Sequence, residues 1–155
     1  MTVQLCHIVS YNFKVTQVEM VKVLVVDDIM EMRTMIRSML ESAGHTVVEA
    51  NDGRAAIKVL QSAEPIDVLV TDILMPETDG LEVIRAAAGR PYLGIIAISG
   101  GGNYMPAAVS LAMSEAFGAR KVLFKPFRKQ ELLEAVSSVV AGAESARRKA
   151  AQSSD

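Results

Sequence analysis

Ile66-Asp67-Val68-Leu69-Val70-Thr71-Asp72-Ile73-Leu74-Met75-Pro76 is the stretch on which the fold turns. Five of the six residues from Val68 to Ile73 are apolar, β-branched or both, the composition of a buried strand. The strand runs straight into Asp72, and Pro76 follows within a few residues. In an open parallel sheet, ligands gather outside the carboxyl ends of the strands. A carboxylate there is placed for chemistry, or it caps the next loop. The stretch alone does not decide between these readings.

Working outward, the same strand-then-polar pattern recurs. Met20 to Val26 reads as a strand buried on both faces and ends in Asp27-Asp28. Thr46 to Ala50 is a short second strand. Leu93 to Ile98 is a fourth, ending at Ser99, and Lys121 to Phe124 a fifth, delivering Lys125-Pro126. Between them lie helical patterns. Met32, Met35, Ile36, Met39, Leu40 and Ala43 share one face, with Gly44 as the stop. Ala56, Val59 and Leu60 mark a second helix over 54–63, which Pro65 bars from continuing. Leu81, Ile84, Ala87 and Ala88 mark a third after Asp79-Gly80. A fourth begins near Pro106, carries Val109, Leu111, Ala112, Met113 and Phe117, and closes at Gly118. Leu132, Leu133, Val136, Val139 and Val140 mark the last. Strict alternation of five strands and five helices predicts an α/β fold, a doubly wound parallel sheet with helices on both faces.

Size and composition exclude much. A chain of 155 residues, half of them hydrophobic, supports one domain with a substantial core. The net charge of −2 gives no field for nucleic acid or anionic lipid. Cys6 is the only cysteine, which excludes a disulfide framework and fits a reducing, cytoplasmic setting. No apolar run approaches the roughly 20 residues a membrane span needs. Residues 1–19 have no clean period and are expected to be a poorly ordered extension. The domain is expected over 20–141, with an Ala-rich polar tail over 142–155 whose Arg147-Arg148-Lys149 is a solvated run. His7 and His45 are read as surface or boundary residues.

Four of the five expected strands thus end in a group usable for chemistry: Asp27 and Asp28, Asp72, Ser99 and Lys125. If the first and third strands are neighbours, three carboxylates crowd one crevice and require a compensating cation. Hard oxygen donors without His or Cys suit Mg²⁺. Mg²⁺ beside a carboxylate, with an ammonium and a hydroxyl nearby, fits a phosphoryl group, and the carboxylate itself can be the attacking atom.

At these positions the chain resembles the response-regulator receiver domain of two-component signalling. The residues are Val23-Leu24-Val25-Val26-Asp27-Asp28, Asp72-Ile73-Leu74-Met75-Pro76 with Asp79-Gly80, Ser99, and Gly118-Ala119 leading to Lys125-Pro126-Phe127. The likeness runs from Val21 to Val140. It implies a flavodoxin-like sheet in the order 2-1-3-4-5. It further implies that Asp72 accepts a phosphoryl group from a sensor histidine kinase or histidine phosphotransfer protein. Mg²⁺ would be held by Asp28, Asp72 and the Leu74 carbonyl, with Asp27 through water. Lys125 and Ser99 would contact the phosphoryl oxygens, and a shift of the surface made by the fourth helix, fifth strand and last helix would be the output. No output domain is expected after the last helix. The chain would act, as a monomer or weak homodimer, on a separate downstream protein rather than as an enzyme.

Three positions depart from the family pattern. Val122 stands where a Tyr or Phe usually reports the switch, which leaves Tyr104 as a candidate reporter. Gly100-Gly101-Gly102 makes the loop after Ser99 costly to order. Leu74 and Gly101 offer no side chain to orient a water, so slow self-dephosphorylation is expected. Other readings fit less well. A phosphohydrolase of this type needs an acid two residues after its nucleophile, where Met30 and Leu74 stand. A flavodoxin-type FMN loop would not carry Asp27 and Asp28, and the Gly run lacks a nucleotide fingerprint. The serious alternative is a receiver-like interaction module that works without phosphorylation.

Overall fold

A computed structural model describes residues 19–76, 80–100 and 118–153. Five parallel strands form one sheet in the order β2-β1-β3-β4-β5. They are β1 (Lys22–Val26), β2 (Thr46–Ala50), β3 (Val68–Asp72), β4 (Gly94–Ser99) and β5 (Lys121–Phe124). Four helices are described: α1 (Met30–Glu41), α2 (Gly53–Gln61), α3 (Gly80–Ala87) and the C-terminal α4 (Lys129–Gln152). The helix expected from about Pro106 lies, as far as its closing Gly118, outside the described residues, which resume at Gly118. So do Tyr104 and the expected N-terminal extension up to residue 18 with His7.

Strand alternation divides the core in two. Leu24, Val26, Leu69, Ile95 and Ala97 point to the face covered by α2 and α3, against Leu60, Leu81, Val83 and Ile84. Val23, Val25, Val68, Val70, Ile96 and Ile98 point the other way, against Ile36 and Leu40 of α1 and Leu132, Val136 and Val139 of α4. Both faces are dry, which explains why these strands read as continuous apolar runs. Local chemistry sets the helix ends. The Asp52 carboxylate accepts from the Ala55 amide at 2.7 Å as the N-cap of α2. Gly44 takes φ +91° two residues past the C-cap of α1, where a side chain would be strained.

Several boundaries differ from the sequence reading. Met20 lies outside β1 and is exposed beside Gly44. In α3 the buried face includes Val83, while Ala88 is exposed. His45 is buried rather than on the surface: its Nδ1 accepts from the Val21 amide at 3.4 Å, and burial pulls its pKa below the ordinary histidine range. The stretch expected as a polar tail from 142 is helical, since α4 continues to Gln152. Its Ala-rich second half favours helix intrinsically. It is also tied down by tertiary contact, with the Arg147 guanidinium 5.2 Å from the Tyr92 ring centre. At least this member of the basic run is therefore not merely solvated.

The seat of α4 on the sheet depends on a missing side chain. A Cβ at Gly94 would lie 2.6 Å from Val139 Cγ2 and 2.9 Å from its Cβ. Gly94→Ala is expected to destabilise the domain by about 1–3 kcal/mol. Adding Val139→Ala should cost less in that background than in the wild type, because both changes act on one contact. Urea titration of the four proteins measures this; strict additivity would show that the two residues do not oppose each other.

Candidate functional site

Register brings the strand ends together. Val23 and Val25 of β1 and Val68 and Val70 of β3 all face α1 and α4. Asp27 and Asp72 continue those two series, so alternation turns both carboxylates toward the same side at the carboxyl end of neighbouring strands. Leu123 of β5 also faces that side, and Lys125 follows it by two residues. Sequence distance is thereby cancelled: Lys125 Nζ sits 2.7 Å from Asp72 Oδ2 and 3.5 Å from Asp27 Oδ2. Carboxylate oxygens of Asp27, Asp28 and Asp72 lie within 4.8 Å of one another, the metal-type acidic cluster among the described residues.

Each group is held from behind. Asp27 is fully buried, and its Oδ1 accepts from the Ile29 amide at 2.9 Å. Burial pushes its carboxyl above the ordinary range, against the opposing pull of that amide and of Lys125. Asp72 Oδ1 accepts from the Leu74 amide at 2.9 Å, leaving Oδ2 for Lys125. Burial works against the charged Lys125 ammonium, yet the carboxylates of Asp72 and Asp27 outweigh it and raise its pKa. Asp28 is exposed at the mouth of the cluster. Ser99 is buried at the end of β4, and its carbonyl accepts from the Lys125 amide at 2.8 Å, which couples those two positions through the backbone. Lys125-Pro126 is a cis peptide bond.

Of the named site residues, Asp27, Asp28, Asp72 and Lys125 therefore converge, and Ser99 adjoins them. Leu74 enters through its amide, a role its side chain does not advertise; that side chain is half exposed. Gly101 lies outside the described residues. Val122 is half-buried against the α2–α3 side of the core, where it serves as packing. Two contributors carried no clear signal in the sequence. Arg33 of α1 reaches back to the carbonyls of Asp27 and Asp28. Gly80 packs its bare Cα against the Asp72 carbonyl, while its amide donates to Ile73 O at 3.0 Å. The Asp79-Gly80 pair reads as a helix start and as part of the family resemblance, with no sign of this close approach to Asp72.

Residues 23–137 match the profile of the response regulator receiver domain. The chain belongs to that family. Similar proteins include the response regulator receiver protein CpdR of Brucella abortus, 37% identical over 126 residues that cover 80% of this chain and all of CpdR. The chemotaxis protein CheY of Listeria monocytogenes is 36% identical, covering 76% of this chain and 96% of CheY. The transcriptional regulatory protein CpxR of Escherichia coli is 29% identical, and the matched region spans only about half (49%) of its length. Among solved structures, Vibrio cholerae CheY4 superposes with a TM-score of 0.66 at 31% identity, covering 77% of this receiver and 98% of CheY4. The sheet has the flavodoxin-like order 2-1-3-4-5 that the family resemblance implies. No described helix is long and apolar enough to cross a membrane.

Proposed function

We propose that this receiver is a phosphorylatable signalling domain in which Asp72 is the phosphoacceptor. The observation that carries the reading is the ion pair of Lys125 with Asp72 inside a cluster of three carboxylates. The three acids and one ammonium sum to two negative charges, and every donor is a hard oxygen, a set that suits Mg²⁺. Asp28 and Asp72 would ligate it with the Leu74 carbonyl, and Asp27 would do so through water. When bound, Mg²⁺ supplies charge neutralisation for the phosphoryl oxygens.

The chain's own residues do the rest. The Leu74 amide fixes the Asp72 carboxylate, so one oxygen is presented for attack. That oxygen bonds to phosphorus as the phosphorus–nitrogen bond of a kinase or phosphotransfer phosphohistidine breaks, and the leaving imidazole takes up a proton. Lys125 then exchanges its bond to Asp72 Oδ2 for phosphoryl oxygens, and the Ser99 hydroxyl donates to another. Both contacts exist only in the phosphorylated state, so they shift the population of the surface around β5 and α4 toward one that a separate partner reads. The role is a signal, not turnover, in a cytoplasmic setting.

Incubation of the protein with Mg²⁺ and acetyl phosphate, followed by intact mass measurement, tests this. One added phosphoryl group, labile to hydroxylamine and absent in Asp72→Asn, is expected. Failure to form any adduct, or an adduct that persists in Asp72→Asn, would favour an interaction module that needs no phosphorylation.

A further inference from the structure

Asp28 is the exposed member of the acidic cluster, and among the described residues its carboxylate has no hydrogen bond or ion pair. Asp27 is pinned by the Ile29 amide and Lys125, and Asp72 by the Leu74 amide and Lys125. The direction of the Asp28 side chain is therefore set by its backbone alone. That backbone lies just beyond β1, in the turn before α1, where the Asp27 carboxylate holds the Ile29 amide and a second side chain grips the carbonyls. Arg33 Nη1 donates to the Asp27 carbonyl at 2.8 Å and approaches the Asp28 carbonyl at 3.4 Å. The guanidinium is mostly buried and is itself anchored, with Nε 3.5 Å from Glu49 Oε1 on β2. Arg37, one turn later on α1, grips the other oxygen of Glu49 at 3.1 Å.

We propose that Arg33 is the positioning residue for Asp28: braced by Glu49, it fixes the turn so that Asp28 faces Asp72, and thereby sets the divalent-cation affinity of the pocket. The inference rests on the metal-pocket reading above. Two physical effects of Arg33 oppose each other. Its positive charge near the pocket disfavours a dication, whereas its hold on the turn preorganises a ligand. Glu49 at 3.5 Å offsets part of that charge, so the positional effect is expected to dominate. The planar guanidinium reaches the turn and Glu49 together; a lysine ammonium, a single point charge, cannot bridge both in the same way.

Calorimetric titration of the metal-free full chain with MgCl₂, without any phosphodonor, tests this beside thermal melts in EDTA. Arg33→Ala is expected to weaken Mg²⁺ binding about tenfold or more, the usual scale for residues that orient a metal ligand. Arg33→Lys should fall between that variant and wild type, and Glu49→Gln should shift affinity the same way by less. If Arg33→Ala does not fold, the latter two variants carry the test. A lower melting temperature with unchanged Mg²⁺ affinity, or tighter binding, would overturn the positioning role while leaving the pocket intact. A wild type without saturable Mg²⁺ binding, or Asp28→Asn that binds like wild type, would instead overturn the metal reading and this inference with it.

Discussion

Lys125→Met should unfold at markedly lower urea than wild type in metal-free buffer at neutral pH, with a loss of about 3 kcal/mol. The Asp27 side chain is 1% exposed and that of Asp72 6%, so both depend on the ammonium that sits between them. Removing it leaves two near-buried carboxylates facing each other, with Asp28 at the mouth. The estimate stays at the low end for a broken buried pair because Lys125 keeps 20% exposure and the acids can escape by taking up protons. Two rescues follow from that account. Adding Asp72→Asn should recover much of the loss, since one of the opposed charges is gone, and saturating Mg²⁺ should recover part of it. A loss below about 1 kcal/mol would mean that the acids do not rely on Lys125.

The pH dependence has a definite sign. Burial raises the Asp27 pKa in the folded protein, so the folded state binds this proton more tightly than the unfolded chain. Stability therefore falls as pH rises from the ordinary carboxyl value through the raised one, and levels off above it. Asp27→Asn should remove that slope and stabilise the metal-free protein at neutral pH. Lys125, whose pKa is also raised, contributes stability that is complete below the ordinary lysine value and is lost only as pH climbs through the raised one. In Lys125→Met the fall with pH should extend to higher pH, because the ammonium that opposed the effect of burial is gone. Chemical denaturation at several pH values in EDTA measures both slopes.

How much of this was readable in the chain follows from what each residue depends on. The strands at 46–50 and 121–124 were placed to the residue, because β-branched and apolar runs bounded by turn residues are local signals. The convergence of Asp27, Asp28, Asp72 and Lys125 was also legible, since a parallel sheet gathers its carboxyl ends on one edge. Arg33 was not. On α1 it reads as an ordinary polar position, and its meaning comes from Glu49 and from carbonyls that carry no identity of their own. His45 looked peripheral because a lone histidine after Gly44 gives no sign that the Val21 amide seeks an acceptor there. The run of α4 past Gly142 was hidden for a similar reason. Glycine weakens a helix locally, while the contact with Tyr92 that favours continuation is distant in sequence.

Gly80→Ala is expected to be more damaging than the same change at Gly94 or Gly89. At the first residue of α3, a new Cβ would overlap the Asp72 carbonyl oxygen and lie 2.8 Å from both the Asp72 carbonyl carbon and Ile73 Cα. All three atoms are backbone, so no rotamer change relieves the overlap, and either β3 or α3 must move. The contrast with Gly94 is instructive: there the obstacle is a valine side chain on a helix, which can shift. A loss of at least about 3 kcal/mol is expected, the upper end for overpacking. The damage should also reach the proposed chemistry, because the carbonyl being pushed belongs to Asp72, the residue proposed to accept the phosphoryl group. Moving it displaces Asp72 from the Leu74 amide at 2.9 Å and from Lys125 at 2.7 Å. The folded fraction should then take phosphoryl from acetyl phosphate more slowly than wild type. Gly89→Ala is the control, since a Cβ there meets nothing within 4 Å, and it should unfold and react as wild type does. Urea titration and initial phosphorylation rates on the two variants decide the matter; equal behaviour would show that α3 does not abut β3 this closely.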